Sequence, residues 1–468
     1  MRRTRSSGYD TDSGSNKKVK VEISSDDELY DKNAIERLSK VELTKDQIEL
    51  KSRIFKFIRG NLKIINQQGD GHSSFIIQGD PGTGKSVILN SLFNDIQRIS
   101  KSMISQGDGD KEDILVGTNN YLLVNHPEML KLYRRVCRSY PYIKMKELER
   151  PTSLINKFGK LKTKADIVII DEAHLLATNK DGYKRFYGNN HLEEIMKVSK
   201  ITVIVYDDRQ SLRMGNYWSH DGVNGDSIER ILSNTVNKEY GYLNNQFRIK
   251  CEKDVLEWIN EITTSQKINS LPRLDLIKRE MGDENAFEFK IWDNAGEMYQ
   301  YILNKDSKYG KCRIISTYDF PYKLNNGKKE DDDKDKDWYV SCGDKDPSGF
   351  RLRWDRYIPE IQLPWSERPD TIEEVGSVYT VQGFDLNYAA VILGPCIGYD
   401  PITESITVDP KLYEDSAGFK KCGNITQPDS VKERIILNSI NVLLTRGVSG
   451  LSIYAYDWKL RKKLMEMS

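Results

Sequence analysis

The run Gly79-Asp80-Pro81-Gly82-Thr83-Gly84-Lys85-Ser86 sits directly behind the apolar stretch Phe75-Ile76-Ile77-Gln78. Val87, Ile88, Leu89, Leu92, Phe93, Ile96 and Ile99 follow it at helical spacing. A strand, a glycine-rich turn and a helix in that order is the context a phosphate-binding loop requires. Gly79 and Gly84 allow turns that a side chain would forbid, so that successive N–H groups point inward around phosphates. Lys85 adds a cation toward the β and γ phosphates, Ser86 offers a hydroxyl to Mg²⁺, and the helix directs its positive end at the same anion. The expectation is a nucleoside triphosphate site, with ATP and Mg²⁺ as cofactors.

Other apolar runs have the length of buried strands: Tyr121 to Val124, Ile167 to Ile170, Ile201 to Val205, Cys312 to Ser316, Ala390 to Leu393 and Leu451 to Tyr456. Helical patterns separate many of them, which predicts an α/β fold with parallel β-sheets covered by helices on both faces. They fall into two clusters around residue 245. The expected organisation is a disordered tail over 1–35, rich in Ser, Asp, Lys and Gly, then one domain over 36–245 and another over 246–468. Lys17-Lys18-Val19-Lys20 in the tail has the form of an import signal or of an ordinary basic run, and 327–337 reads as a solvated loop.

No run approaches the roughly 20 apolar residues of a bilayer crossing, and no apolar signal core opens the chain, so no membrane partner and a cytoplasmic location are expected. Six cysteines without CxxC pairing or nearby histidines read as reduced packing residues. The formal net charge of +1 places any nucleic-acid binding in a local patch. One candidate is 131–150, where seven basic residues outnumber two acids and alternate with Tyr133, Tyr140 and Tyr142. It fits phosphate binding and base stacking, or a solvated helix face.

Ala165-Asp166-Ile167-Val168-Ile169-Ile170-Asp171-Glu172-Ala173-His174 is a buried strand ending on two acids. Asp171 is placed to hold Mg²⁺ with Ser86, and Glu172 to orient or deprotonate the attacking water. Gln210, after the strand that ends near Val205, falls at the edge of an open sheet where ligands bind, close enough to sense the γ-phosphate or that water.

Taken in order, the phosphate loop, Asp171-Glu172-Ala173-His174, Asp208-Arg209-Gln210, Asn245-Gln246-Phe247-Arg248, Thr380-Val381-Gln382-Gly383-Phe384-Asp385 and Leu443-Leu444-Thr445-Arg446-Gly447 resemble the motif series of superfamily 1 helicases. The wording is most similar to the Schlafen group 3-like DNA/RNA helicase family, over roughly 40–460. The resemblance implies two tandem RecA-like P-loop NTPase domains and a nucleic-acid-dependent ATPase acting on single-stranded DNA or RNA. It implies that Gln47 reads the adenine edge, with a surface polar residue on a helix as the alternative. Arg248 and Arg446 would reach the γ-phosphate across the domain cleft, or else form an interdomain ion pair. Gln382, Gly383 and Asp385 would couple nucleotide to the strand, and 116–121 would touch it. Intervals between motifs are shorter than in unwinding enzymes with large insertions, so unwinding is not part of the expectation, and with no recognisable nuclease motif neither is cleavage. The other class of function is a signalling or defence switch with a protein partner.

Overall fold

The computed structural model describes residues 42–79, 82–102, 113–182, 185–219, 222, 224–243, 253–272, 286–321, 338–342, 349–355, 364–420 and 423–467. The expectations for the 1–35 tail, the 327–337 loop, Cys251 and Cys422 fall outside them.

The first sheet contains β1 (Ser73–Gly79), β2 (Asn120–Val124), β3 (Leu148–Glu149), β4 (Ala165–Asp171), β5 (Ser199–Tyr206) and β6 (Asn237–Leu243), in the order β3-β2-β4-β5-β1-β6. Every pairing in it is parallel. Side chains alternate faces along a strand, and the core divides accordingly. Phe75, Ile77, Leu122, Val124, Ile167, Ile169, Val203 and Val205 join one apolar cluster with helices Lys45–Gln68, Lys85–Ser100 and Pro127–Val136. Ile76, Leu123, Val168, Ile170 and Ile204 face the opposite cluster, under Pro151–Leu161, His191–Lys197 and Ile228–Ile231. Burial on both faces explains why these strands read as unbroken apolar runs.

The second sheet uses β7 (Glu288–Ile291), β8 (Cys312–Ser316), β9 (Tyr339–Ser341), β10 (Arg351–Trp354), β11 (Glu374–Ser377), β12 (Leu386–Leu393) and β15 (Gly447–Ala455). Their order is β7-β15-β12-β8-β11-β10-β9, parallel except for the edge pair β9 and β10. A separate antiparallel ribbon, β13 (Ile397–Asp400) with β14 (Ser405–Val408), follows β12. The α/β class and the covered parallel sheets expected from the sequence are present, and the seven apolar runs lie in strands except for Tyr456, one residue past β15. Cys137, Cys312, Cys342 and Cys396 are buried free thiols. Among the described residues no helix is long and apolar enough to cross a membrane.

The helix Lys45–Gln68 starts with a reciprocal cap, in which the Thr44 hydroxyl accepts from Gln47 N and Gln47 Oε1 accepts from Thr44 N at 3.0 Å. It ends at Gly69 in the left-handed conformation, φ +82°, a turn only glycine enters cheaply. Just beyond, at the start of β1, His72 is 7% exposed. Its Nδ1 lies 2.9 Å from the Ser199 carbonyl, which can only accept, so Nδ1 carries the proton and Nε2 accepts from the Ser74 or Thr202 hydroxyl.

Burial holds the His72 imidazole down at about 4. The unfolded chain therefore binds this proton first as pH falls, so stability is intact above the ordinary histidine value near 6.5 and is lost between there and about 4. The expected loss is about 3 kcal/mol. Urea unfolding at pH 7 and pH 4.5 should show a smaller drop for His72→Gln than for the wild type. An equal drop would assign the acid sensitivity to other groups.

Candidate nucleotide site

β1 delivers Gly79 to the C-terminal edge of the first sheet, and the chain re-enters helix at Lys85. Gly82 and Gly84 have φ of +88° and +78°, in the left-handed region. A Cβ at Gly79 would lie 2.8 Å from Thr83 Oγ1 and 2.9 Å from the Leu243 carbonyl, and one at Gly84 would lie 2.4 Å from Gln47 Nε2. Glycine is thus required by conformation at Gly82 and Gly84, and by space at Gly79 and Gly84. Asp80 and Pro81 lie outside the described residues. Gly84 caps the Lys85–Ser100 helix without a side-chain bond, an arrangement that suits an anion. Lys85 folds back over the loop, its Nζ donating to the Gly79 carbonyl at 2.7 Å.

Gln47 is 3% exposed, which rules out the surface-polar alternative. Its Nε2 donates to the Thr83 carbonyl at 3.2 Å while its Oε1 serves the Thr44 cap. The residue is therefore beside the loop, with its amide tying the first helix to it.

β4 ends on Asp171, which is 1% exposed. Its Oδ2 accepts from the Tyr133 hydroxyl at 2.6 Å and its Oδ1 from Glu172 N at 3.0 Å, and the Ser86 hydroxyl lies beside this carboxylate. Burial, then the neighbouring Glu172 charge, pushes the Asp171 carboxyl up. Glu172 takes a left-handed φ of +52°, uncommon for a residue with a Cβ and frequent at functional turns. Its Oε2 is 3.0 Å from His174 Nε2. Burial pushes Glu172 up, but the His174 imidazole, followed by Lys85 and Arg446, outweighs it and holds the carboxyl well below its ordinary value. The two acids are thereby shifted in opposite directions, Asp171 up and Glu172 down.

Gln210 closes the turn 208–210 after β5 and is 5% exposed. Its Nε2 donates to Asp207 Oδ2 at 2.8 Å, and its backbone carbonyl accepts from Gln382 Nε2 at 3.3 Å. Gln382, Gly383 and Asp385 form the turn that enters β12. Gly383 has φ +84°, and a Cβ there would lie 3.1 Å from Met129 Sδ on the Pro127–Val136 helix. Arg446, 1% exposed, braces this turn from behind: its Nη1 donates to Phe384 O at 3.2 Å and Val381 O at 3.4 Å, and its Nε to Val442 O at 2.8 Å. The C-terminal edge of β1, β4 and β5 thus meets the N-terminal edge of β12 and β15. The phosphate loop, Asp171, Glu172, Gln210, Gln382 and Arg446 gather along that seam. Arg248 lies outside the described residues.

Beside the seam is a cleft of about 1120 Å³. Asn125, His126, Arg150, Lys180 and Arg213 line it from the first half, and Tyr379, Lys420 and Asn424 from the second. Cross-links hold the halves around it, including Asn179 Nδ2 to Asn424 Oδ1 at 2.9 Å, Asn438 Nδ2 to Ser211 O at 3.0 Å, and the Arg213 guanidinium 4.2 Å over the Tyr379 ring.

Two strand-contact expectations need correction. Residues 116–121 lead into β2 at its N-terminal end, the edge opposite the phosphate loop, and Tyr121 is 5% exposed, packed edge-on against Phe158. The C-terminal end of β2 supplies Asn125 and His126 to the cleft instead. In the basic segment 131–150, Tyr133 is a core residue and cannot stack on a base. Tyr140 accepts from Asn90 at 3.0 Å, and of the segment's cations Arg150 lines the cleft.

The donor set fits a triphosphate with Mg²⁺: glycines shape a cradle that a Cβ would fill, and the half-buried Ser86 hydroxyl and the buried Asp171 carboxylate lie at its mouth. Among the described residues no group of three or more His, Cys, Asp or Glu is arranged to hold a metal ion, and Mg²⁺ needs none, since one or two protein ligands plus phosphate oxygens suffice.

The family model for the Schlafen group 3 DNA/RNA helicase domain matches residues 72–457, from the start of β1 to just beyond β15. The chain belongs to that family. An uncharacterized protein of Saccharomyces cerevisiae is 51% identical to this chain over 440 residues, 93% of each chain. Among solved structures, the helicase nonstructural protein 10 of an arterivirus is similar at 10% identity and a TM-score of 0.31, over 85% of this chain and 61% of its own. The Hef helicase domain of Pyrococcus furiosus is similar at 10% identity and a TM-score of 0.33, over 91% and 99%. Within this Schlafen group 3 helicase domain, Gln47 precedes the matched segment, so its place beside the loop rests on the structure.

Proposed function

We propose that the chain is a nucleic-acid-dependent ATPase that moves on or remodels single strands, with the halves meeting near 245. The reading is carried by one observation: the phosphate loop, the acid pair and Arg446 converge on a single seam between two parallel sheets. The loop N–H groups and Lys85 would hold the phosphates, and Ser86 with Asp171 would hold Mg²⁺, which supplies charge neutralisation at the β and γ oxygens when bound. Glu172, kept ionised, would orient the attacking water and take its proton. Gln210 would report the γ-phosphate through Gln382 to the second half. Arg446 would stabilise charge developing at the γ-phosphate while bracing the Gln382–Asp385 turn.

The strand would lie in the cleft, where amide side chains of Asn125, Asn179 and Asn424 and the cations Arg150 and Lys180 meet. Phosphate contacts of this kind are salt-dependent. For Lys180→Ala, the slope of log affinity for a single-stranded oligonucleotide against log salt should fall by about 1. An unchanged slope and affinity for both Lys180→Ala and Arg150→Ala would place the strand elsewhere, and retained Lys85-dependent turnover would then favour a protein-partnered switch.

A further inference from the structure

The Pro127–Val136 helix connects the cleft to the cation-holding pair. Its N-cap His126 and first residue Pro127 line the cleft wall, and Met129 abuts the Gly383 turn of the other half. One turn further along, Tyr133 points inward. It is 2% exposed, its hydroxyl donates to Asp171 Oδ2 at 2.6 Å, and the Ser86 hydroxyl lies beside the pair.

We propose that Tyr133 is a positioning residue: its hydroxyl sets the Ser86–Asp171 pair in the geometry that holds Mg²⁺ and ties that geometry to the cleft wall. Two features favour this role. The ring is enclosed in the apolar cluster with Met129, Leu130, Leu132 and Val136, so it cannot swing away without opening the core. A carboxylate oxygen has lone pairs enough to accept this bond and still serve a cation or its water. A strand that shifts His126 and Pro127 would move Tyr133 with them, so strand binding would tighten the hold on Mg²⁺. This rests on the ATPase reading above.

Tyr133→Phe removes the hydroxyl and keeps the ring. Binding of a fluorescent ATP analogue is titrated with Mg²⁺, with and without a single-stranded oligonucleotide, so no turnover is needed. The expected result is a Mg²⁺ midpoint about tenfold or more above wild type, unmoved by the strand that lowers it in wild type, and unchanged analogue affinity in EDTA, which also reports an intact fold. In a double-mutant cycle, adding Tyr133→Phe to Asp171→Asn should raise the midpoint little further. A wild-type midpoint in Tyr133→Phe, a midpoint that still responds to the strand, or full additivity with Asp171→Asn would overturn the proposal. Absence of ATP turnover by the wild type at any Mg²⁺ concentration would instead sink the motor reading, and the binding titration would still decide the role of Tyr133.

Discussion

Glu172→Gln should bind ATP as wild type does and hydrolyse it about 10²- to 10⁴-fold more slowly. The change is nearly isosteric, so the turn at φ +52° and its neighbours persist. What disappears is the carboxylate that His174, Lys85 and Arg446 hold in the ionised form. The glutamine amide can still accept a hydrogen bond from water, but it cannot take the proton. Single-turnover hydrolysis together with titration of a fluorescent nucleotide separates the two steps. Turnover near the wild-type rate would assign water activation to another group, and a parallel loss of affinity would make Glu172 a binding residue.

The second large effect is expected at Arg446. Its guanidinium is buried and donates to the carbonyls of Val442, Val381 and Phe384. Arg446→Ala leaves those acceptors without that donor in a dry interior and opens a void, at a cost of about 3 kcal/mol. Loss of charge at the seam should also lower turnover about 10³-fold. Arg446→Lys restores the charge without the planar fork, so it should recover less stability than a purely electrostatic role would predict. Urea unfolding and turnover on the same preparations check both parts. An Arg446→Ala protein of normal stability would contradict the brace, and a loss confined to nucleotide affinity would contradict the role at the γ-phosphate.

Legibility in the sequence followed burial. The central strands β1, β4, β5 and β12 are covered on both faces, and Ile167 to Ile170 could hardly be read otherwise. The edge strand β6, Asn-Lys-Glu-Tyr-Gly-Tyr-Leu, has solvent-exposed polar side chains and no apolar run to betray it. β11, Glu-Val-Gly-Ser, is fully buried with a single aliphatic residue, because Glu374 bonds to Trp365 Nε1. The phosphate loop and acid pair were legible because their chemistry dictates residue types at fixed spacing. The basic neighbours of Tyr133 fit either a stacking surface or a solvated face, and neither holds for this buried ring. Met129, Leu130, Leu132, Tyr133, Val136 and Cys137 recur on a helical stripe, and that period places the ring in the core. The cleft was illegible for another reason: Asn125, Lys180 and Asn424 come together only through the meeting of two sheets, which no local pattern encodes.

The most direct measurement is steady-state ATP hydrolysis with and without single-stranded DNA or RNA, over a range of salt, with Lys85→Ala as the blank. A strand-activated ATPase should turn over faster with one or both polymers, lose that stimulation as salt rises, and fall to background in Lys85→Ala. Lys85-dependent turnover that neither polymer changes would contradict the strand motor and leave a nucleotide-driven protein switch. Turnover that survives Lys85→Ala would contradict the site itself.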